Sequence, residues 1–208
     1  NEKSFAIKLL ITPGLFFLYS AVTQKLGTYV EMRQGVRLED NWLYLFPAFD
    51  FSMPIFLLLY TSLSLLILTH ITKPRLILRI IEMHFAVAVI RQLCILLIAL
   101  EPPVGLIVLR DVFLENTVYP RHSPLTKDLF FSGHVASILI YFLIADGKYL
   151  KYYFAIAAVA MSTMILCMRV HYTYDVLGAI IITPLIYFAP VWYRNYLLPK
   201  EVVAESID

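Results

Sequence analysis

Two short strings hold the residue types that covalent phosphorus chemistry needs: Ser132-Gly133-His134 and His171-Tyr172-Thr173-Tyr174-Asp175. A histidine can attack phosphorus through one ring nitrogen while a carboxylate holds the other N–H and fixes the tautomer. That logic makes His171 the nucleophile and Asp175 its partner. Four residues is one helical turn, so the two meet across a turn if the segment is helical. If Thr173 instead caps the helix, Asp175 lies in its first turn and His171 must fold back to it. His134 then protonates the departing alkoxide and later deprotonates the acceptor. Ser132 and Gly133 suit a helix N-terminus, where free backbone N–H groups cradle phosphate oxygens. The chemistry such a set would be expected to do is phosphoryl transfer through a phosphohistidine.

Two arginines extend this set, because Arg91 lies inside an apolar run and Arg169 stands two residues before His171. An arginine at mid-helix costs about 2.5–3.5 kcal/mol on the insertion scale, so each calls for a counter-charge, a phosphate or a route to the interface. For Arg169 the alternative to phosphate is snorkelling. For Arg91 it is an ion pair with an acid such as Asp50 or Glu101.

The elements that position these groups are membrane helices. Of 208 residues, 60% are hydrophobic and 15% charged, with a mean hydropathy of +0.76. Repeated apolar runs of about 20 residues fit bilayer crossings rather than a soluble core. Six spans are predicted, at roughly 6–23, 53–71, 77–100, 129–145, 149–168 and 174–193. The fold class is therefore an all-α, six-transmembrane-helix bundle forming a single domain over 1–208. Lys73-Pro74-Arg75 and Asp146-Gly147-Lys148 punctuate it, and Pro13-Gly14 is expected to kink the first helix. That first helix is expected to be retained, since no small-residue cleavage site follows a basic start. The start at Asn1 rather than Met is what a trimmed chain would show, and the polar tail from Pro199 is expected to fray.

Loop charges set the orientation. Lys3, Lys8, Lys73, Arg75, Arg79, Lys148, Lys151, Arg194 and Lys200 fall on one side, in short turns and at both ends. That side is read as cytosolic, with both termini on it. The long loops, about 24–52 and 101–128, then face outside or a lumen, and His134, His171 and Asp175 converge on that non-cytosolic face. His70 and His84 lie near the opposite face and are expected to snorkel or meet head groups. A net charge of +2 supplies no dense basic patch for nucleic acid. Cys94 and Cys167 lie inside spans without a CxxC partner, so they read as packing residues. Beyond the triad itself no histidine–carboxylate cluster has zinc-ligand spacing, and neither metal nor cofactor is expected.

These residues carry a family resemblance. The chain resembles the sphingomyelin synthase family, within the wider lipid phosphatase/phosphotransferase superfamily. Asp128-Leu129-Phe130-Phe131-Ser132-Gly133-His134 is similar to that family's third motif, with an aspartate six residues before the histidine. His171-Tyr172-Thr173-Tyr174-Asp175-Val176 resembles its fourth motif. Arg91 leading into Pro102-Pro103 resembles the second, and Pro47-Ala48-Phe49-Asp50 is a weaker match to the first, lacking its second proline at Phe49. The cysteine usual before the third motif's aspartate is also absent. The resemblance implies a metal-free transferase that moves a phosphorylated head group from a membrane phospholipid to ceramide, leaving diacylglycerol. It implies catalytic His134, His171 and Asp175; the candidates for holding substrate are Arg91, Asp128, Ser132, Gly133, Arg169, Asp50 and Tyr172.

The superfamily's phosphatases use a similar histidine pair with water as acceptor. Their signature carries an Arg-Pro pair, which this chain lacks, and an arginine six residues before the histidine, where Ile165 stands. A phospholipase C activity would share the first half-reaction, and a non-catalytic membrane protein with a buried ion network is the reading from another class. Trp42, Tyr44, Tyr119, Tyr172 and Tyr174 could cage a choline ammonium or form an ordinary interfacial belt. Glu101 and Glu115 are lesser candidates for proton movement, and His122 either approaches the site or is solvated. The sequence assigns neither head group nor oligomeric state.

Overall fold

The computed structural model describes residues 2–111 and 125–196, and they are all-helical. Six α-helices are present among them: α1 (Glu2–Met32), α2 (Ser52–His70), α3 (Pro74–Leu97), α4 (Gly133–Ile144), α5 (Lys148–Cys167) and α6 (Thr173–Tyr196). A 3-10 turn over Leu43–Leu45 lies between α1 and α2. Among the described residues, four helices are long and apolar enough to cross a membrane: α2, α3, α5 and the Thr173–Pro190 part of α6. This architecture fits a multi-pass membrane protein.

The fourth expected span is shorter than the sequence pattern suggests. Apolar residues run from Leu129, but the helix starts only at Gly133 and has 12 residues. At 1.5 Å per residue that is roughly 18 Å, against about 30 Å of hydrocarbon. Its length is tolerable because α4 sits in the middle of the bundle, packed against α2, α3, α5 and α6. Val135, Ala136, Ile138, Ile140, Tyr141 and Ile144 are its buried residues. The irregular chain leading into it is also enclosed by protein, with Leu129 and Phe131 fully buried. Non-helical backbone at membrane depth is tolerated only where other protein groups satisfy it. Arg91 does so here, donating from Nε to the Phe131 carbonyl at 2.6 Å and from Nη2 to that of Asp128 at 3.0 Å.

The first helix differs in the other direction. It continues past the expected end at residue 23 to Met32, and its helical assignment is unbroken through Pro13-Gly14. Residues 24–32 include Gln, Lys, Leu, Glu and Met, good helix formers that hydropathy alone assigns to a loop. The first long connection is therefore residues 33–51. The end of α1 is fastened to α3: Arg33 donates to the carbonyls of Leu96 at 2.8 Å, Ile98 at 3.2 Å and also Ile95. A cation among the last carbonyls of a helix meets both unsatisfied acceptors and the negative end of its dipole.

Beyond Arg33 the chain runs against the exit of α3. Val36 N–H donates to Ala99 O at 2.9 Å, and Glu101 N–H returns to Val36 O at 3.0 Å. Glycine is required at position 35, since a Cβ there would stand 2.6 Å from the Leu100 carbonyl carbon. Glu101 closes the knot, accepting from Gly35 N–H at 2.9 Å and Lys127 Nζ at 2.8 Å. Those contacts hold its carboxyl below the usual range, the Lys127 bond first and the Gly35 amide second.

At the other end of the bundle Lys73 Nζ meets Asp146 Oδ2 at 2.7 Å, joining the α2–α3 and α4–α5 turns. That contact lowers the Asp146 pKa. His70 does not snorkel: it is buried, with Nδ1 3.0 Å from Leu66 O and Nε2 3.6 Å from the same Asp146 oxygen. His84 likewise turns inward, its Nδ1 2.8 Å from Ile80 O and its ring near Tyr141. Cys94 and Cys167 are free thiols. His122, Glu115, Tyr119 and the tail from Pro199 lie outside the described residues.

Candidate active site

The second string folds as the alternative in which the helix begins late. Helix α6 starts at Thr173, Asp175 stands in its first turn, and His171 precedes the helix. Even so, His171 Nδ1 lies 3.1 Å from Asp175 Oδ2. The carboxylate is fully buried and the same oxygen accepts Tyr172 N–H at 2.9 Å. An aspartate near a helix N-terminus is favoured by the exposed N–H groups and dipole there. Its position fixes which ring nitrogen of His171 is engaged, leaving Nε2 for a substrate.

The turn holding His171 is itself tied from outside. Asp40, buried in the first long connection, accepts Thr173 N–H at 2.6 Å and Thr173 Oγ1 at 2.7 Å. It also accepts Leu43 N–H at 3.2 Å. Sequence reasoning missed Asp40, whose one signal is a carboxylate in a connection long enough to reach a helix start. Tyr172, expected to touch substrate, has another job. Its hydroxyl donates to Glu101 O at 2.8 Å and accepts Leu38 N–H at 3.2 Å, so it pins two connections together.

The first string enters beside it. Ser132 N–H donates to the Asp175 carbonyl at 3.1 Å, which joins the two strings through the backbone. Ser132 precedes α4, but its side chain makes no cap bond; Oγ is buried without a partner among the described residues. His134, in the first turn, packs edge-on against Phe56 of α2 with ring centroids 5.6 Å apart. Gly133 has a steric reason: a Cβ there would approach Arg91 Nε at 3.3 Å and Cζ at 3.4 Å. The missing side chain gives the guanidinium its place.

Arg91 finds its counter-charge in Asp128, with Nη1 2.9 Å from Oδ1, rather than in Asp50 or Glu101. His134, His171, Arg91 and Asp128 line one cavity of about 90 Å³, with Thr126 and apolar residues including Leu106, Val108 and Val170. That is well under the roughly 300–1,000 Å³ of a pocket for a whole small molecule, and on the scale of a phosphate group. A second cavity of about 310 Å³ shares Arg91, Leu125 and Asp128 and extends between α1 and α3.

Of the expected site residues, Asp175, Ser132, Gly133, Arg169, Asp50 and Tyr172 do not line the first cavity, and the last three are held elsewhere. Arg169 takes a left-handed backbone conformation, φ 54°, just beyond α5. Its guanidinium sits 5.1 Å over the Tyr44 ring and donates to Val104 O at 3.3 Å, so cation–π and carbonyl contacts hold it where a phosphate was expected to. Asp50 accepts Ser52 N–H at 2.8 Å at the start of α2, and this bond holds its carboxyl below the usual range. Tyr172 is consumed as described. The aromatic cage is likewise not assembled there: Trp42 and Tyr174 are exposed, Tyr44 lies under Arg169, and Tyr119 falls outside the described residues. Glu101 is committed to Lys127. Among the described residues no group of three or more His, Cys, Asp or Glu is placed to hold a metal ion.

The cavity thus brings a buried His–Asp pair, a second histidine and an arginine to one small polar space. No curated protein and no solved structure gives a significant match to the chain. Residues 127–192, which contain both strings and Asp128, match the family described as PAP2 superfamily C-terminal, and this supports placing the segment in the lipid phosphatase/phosphotransferase superfamily, with a function of that type.

Proposed function

We propose that this protein is a phospholipid:ceramide head-group phosphotransferase, carrying phosphocholine or a related head group, with its site on the non-cytosolic face of the membrane. The observation that carries this reading is the His171–Asp175 pair, 3.1 Å apart and buried, opening on the cavity that His134 and Arg91 also line. Nε2 of His171 attacks the donor phosphorus and the bond from phosphorus to the glyceride oxygen breaks. His134 gives its proton to that oxygen, and diacylglycerol leaves. His134 then takes the proton from ceramide's primary hydroxyl. The new P–O bond forms as the P–Nε2 bond breaks, and His171 returns to its neutral form beside Asp175.

Arg91 and the first N–H groups of α4 are the donors for the non-bridging oxygens. The guanidinium has five N–H donors; three nitrogen atoms are already engaged with Asp128 and Phe131, which fixes its direction before substrate arrives. The apolar lining from Leu106, Val108 and Val170 limits water at the intermediate and favours an alcohol acceptor.

The test is lipid mass spectrometry on purified protein given mixed phospholipid donors and ceramide, with His171→Ala alongside. Head-group transfer to ceramide by the wild type, absent in the variant, is the expected result. Release of the phosphorylated head group into water despite available ceramide would make the protein a phospholipase C. Unchanged turnover in His171→Ala would leave a non-catalytic role.

A further inference from the structure

The second cavity contains a polar group for which the catalytic scheme has no use. Gln92 follows Arg91 on α3, inside a span, and lines the space between α1 and α3. The other polar groups around it are occupied. Tyr19 donates to Ala88 O at 2.8 Å, Glu31 accepts the amides of Thr126 and Lys127 at 3.0 and 3.1 Å, and Arg91 is paired with Asp128. The carboxamide of Gln92, by contrast, makes no hydrogen bond among the described residues. An unsatisfied amide within a span is costly, and such groups mark sites that bind something.

We infer that the cavity between α1 and α3 is the acceptor site and that Gln92 recognises the amide of a long-chain amide lipid. This deepens the transferase reading and rests on it. A primary carboxamide offers two donors and an acceptor on one planar group. A secondary amide is trans, with its N–H and carbonyl on opposite sides, so the Gln92 oxygen accepts its N–H while its carbonyl points away. An ester-linked diacylglycerol has carbonyls but no N–H, and leaves the Gln92 oxygen unpaired. The position suits the reaction, because Arg91, Leu125 and Asp128 border both cavities. In ceramide the amide nitrogen and the primary hydroxyl sit on adjacent carbons, so an amide held on the Gln92 side can present its hydroxyl past this shared wall toward His134. The apolar remainder of the lining, including Val30 and Ile95, suits the first methylenes of the chains. The site would also favour forward transfer, since the diacylglycerol just released is a poorer fit than the incoming amide.

The experiment measures two acceptors in one sample. Wild-type protein in liposomes receives donor phospholipids labelled at phosphorus, with ceramide and a chain-distinguishable diacylglycerol at equal concentration. The readout is the ratio of label in the two lipid products, which does not depend on the fraction of protein folded. We expect ceramide to be preferred by about tenfold, a factor that one hydrogen bond, made to ceramide and left unmade to diacylglycerol, supplies. Gln92→Leu, similar in size but unable to hydrogen-bond, should bring the ratio to within about threefold of unity. Gln92→Glu keeps the acceptor oxygens and should retain a preference for ceramide. A Gln92→Leu protein with the wild-type ratio overturns the inference while leaving the transferase reading intact. Label appearing only in water-soluble head group from the wild type overturns both.

Discussion

Replacing Asp175 by asparagine removes one charge from the site with almost no change in volume. Oδ2 accepts from His171 Nδ1 at 3.1 Å and from Tyr172 N–H at 2.9 Å. The carboxamide oxygen of the substituted side chain can take over both bonds, so the turn should keep its shape. What disappears is the negative charge facing the imidazole as it becomes positive on attacking phosphorus. With opposite charges separated by 3.1 Å and an effective dielectric of 20, Coulomb's law gives about 5 kcal/mol. At about 1.4 kcal/mol per tenfold in rate, this corresponds to a fall of roughly a thousandfold to ten-thousandfold. If the amide rotates instead, its NH₂ faces Nδ1, the proton moves to Nε2 and the nucleophilic lone pair is lost, which gives a loss of similar size. The assay is the burst of diacylglycerol released on mixing protein with donor phospholipid, since the covalent half-reaction liberates one equivalent before any acceptor reacts. Asp175→Asn should show no burst, with a thermal midpoint in detergent within a few degrees of the wild type. A folded variant that keeps more than a tenth of the wild-type burst rate would refute both the nucleophile assignment and the electrostatic reasoning.

Two further outcomes follow from the packing around the site. Gly133→Ala places a methyl group 3.3 Å from Arg91 Nε; the guanidinium must yield by a few tenths of an ångström, and head-group transfer should fall about tenfold with little change in detergent stability, since misplacing a positioning group costs rate before it costs fold. A drop in thermal midpoint without a drop in rate would contradict that. Glu101 gives a pH dependence: its folded pKa is lowered by Lys127 and the Gly35 amide, so its stabilising contribution is present above the ordinary carboxylate value of about 4.3 and is lost as pH falls through the lower folded value. Thermal unfolding across that acid window should show a slope that Glu101→Gln reduces, and an identical slope in the variant would refute the assignment.

The two strings were legible because their chemistry is local: a histidine and an aspartate four residues apart need only one turn of chain to meet. Arg91 was legible as a charge needing a partner, but Asp128 as that partner was not, since the pairing depends on the irregular course of residues 125–132 across the end of α3. The same holds for the late start of α4, where Leu129, Phe130 and Phe131 imitate a longer helix. Hydropathy sees their side chains, while the backbone is decided by Arg91 reaching the carbonyls of Asp128 and Phe131. Arg169 went the opposite way. Its place two residues before His171 suggested a phosphate ligand, yet a left-handed turn sends it to Tyr44 and Val104. Asp40 and Glu101 organise the connections through contacts more than 60 positions away in sequence, and no periodicity announces contacts of that kind.

The division of labour among these contacts bears on how such a site can change substrate. His171, Asp175 and Ser132 are bound to one another through side chain and backbone, at the starts of helices α4 and α6, which pack directly together. A shift of one string therefore drags the other, and the distances that attack on phosphorus requires are preserved as a unit. The groups around that unit are held differently: Leu106 and Val108 come from the connection after α3, Leu125 and Thr126 from the connection before α4, and Gln92 from the α3 face that turns to α1. None of these is hydrogen-bonded by its side chain to the His–Asp pair. Substitutions there can reshape what enters without moving the nucleophile, so acceptor preference and rate of phosphohistidine formation should vary independently across such variants. Coupled losses of both would mean that the scaffold, rather than the lining, sets specificity.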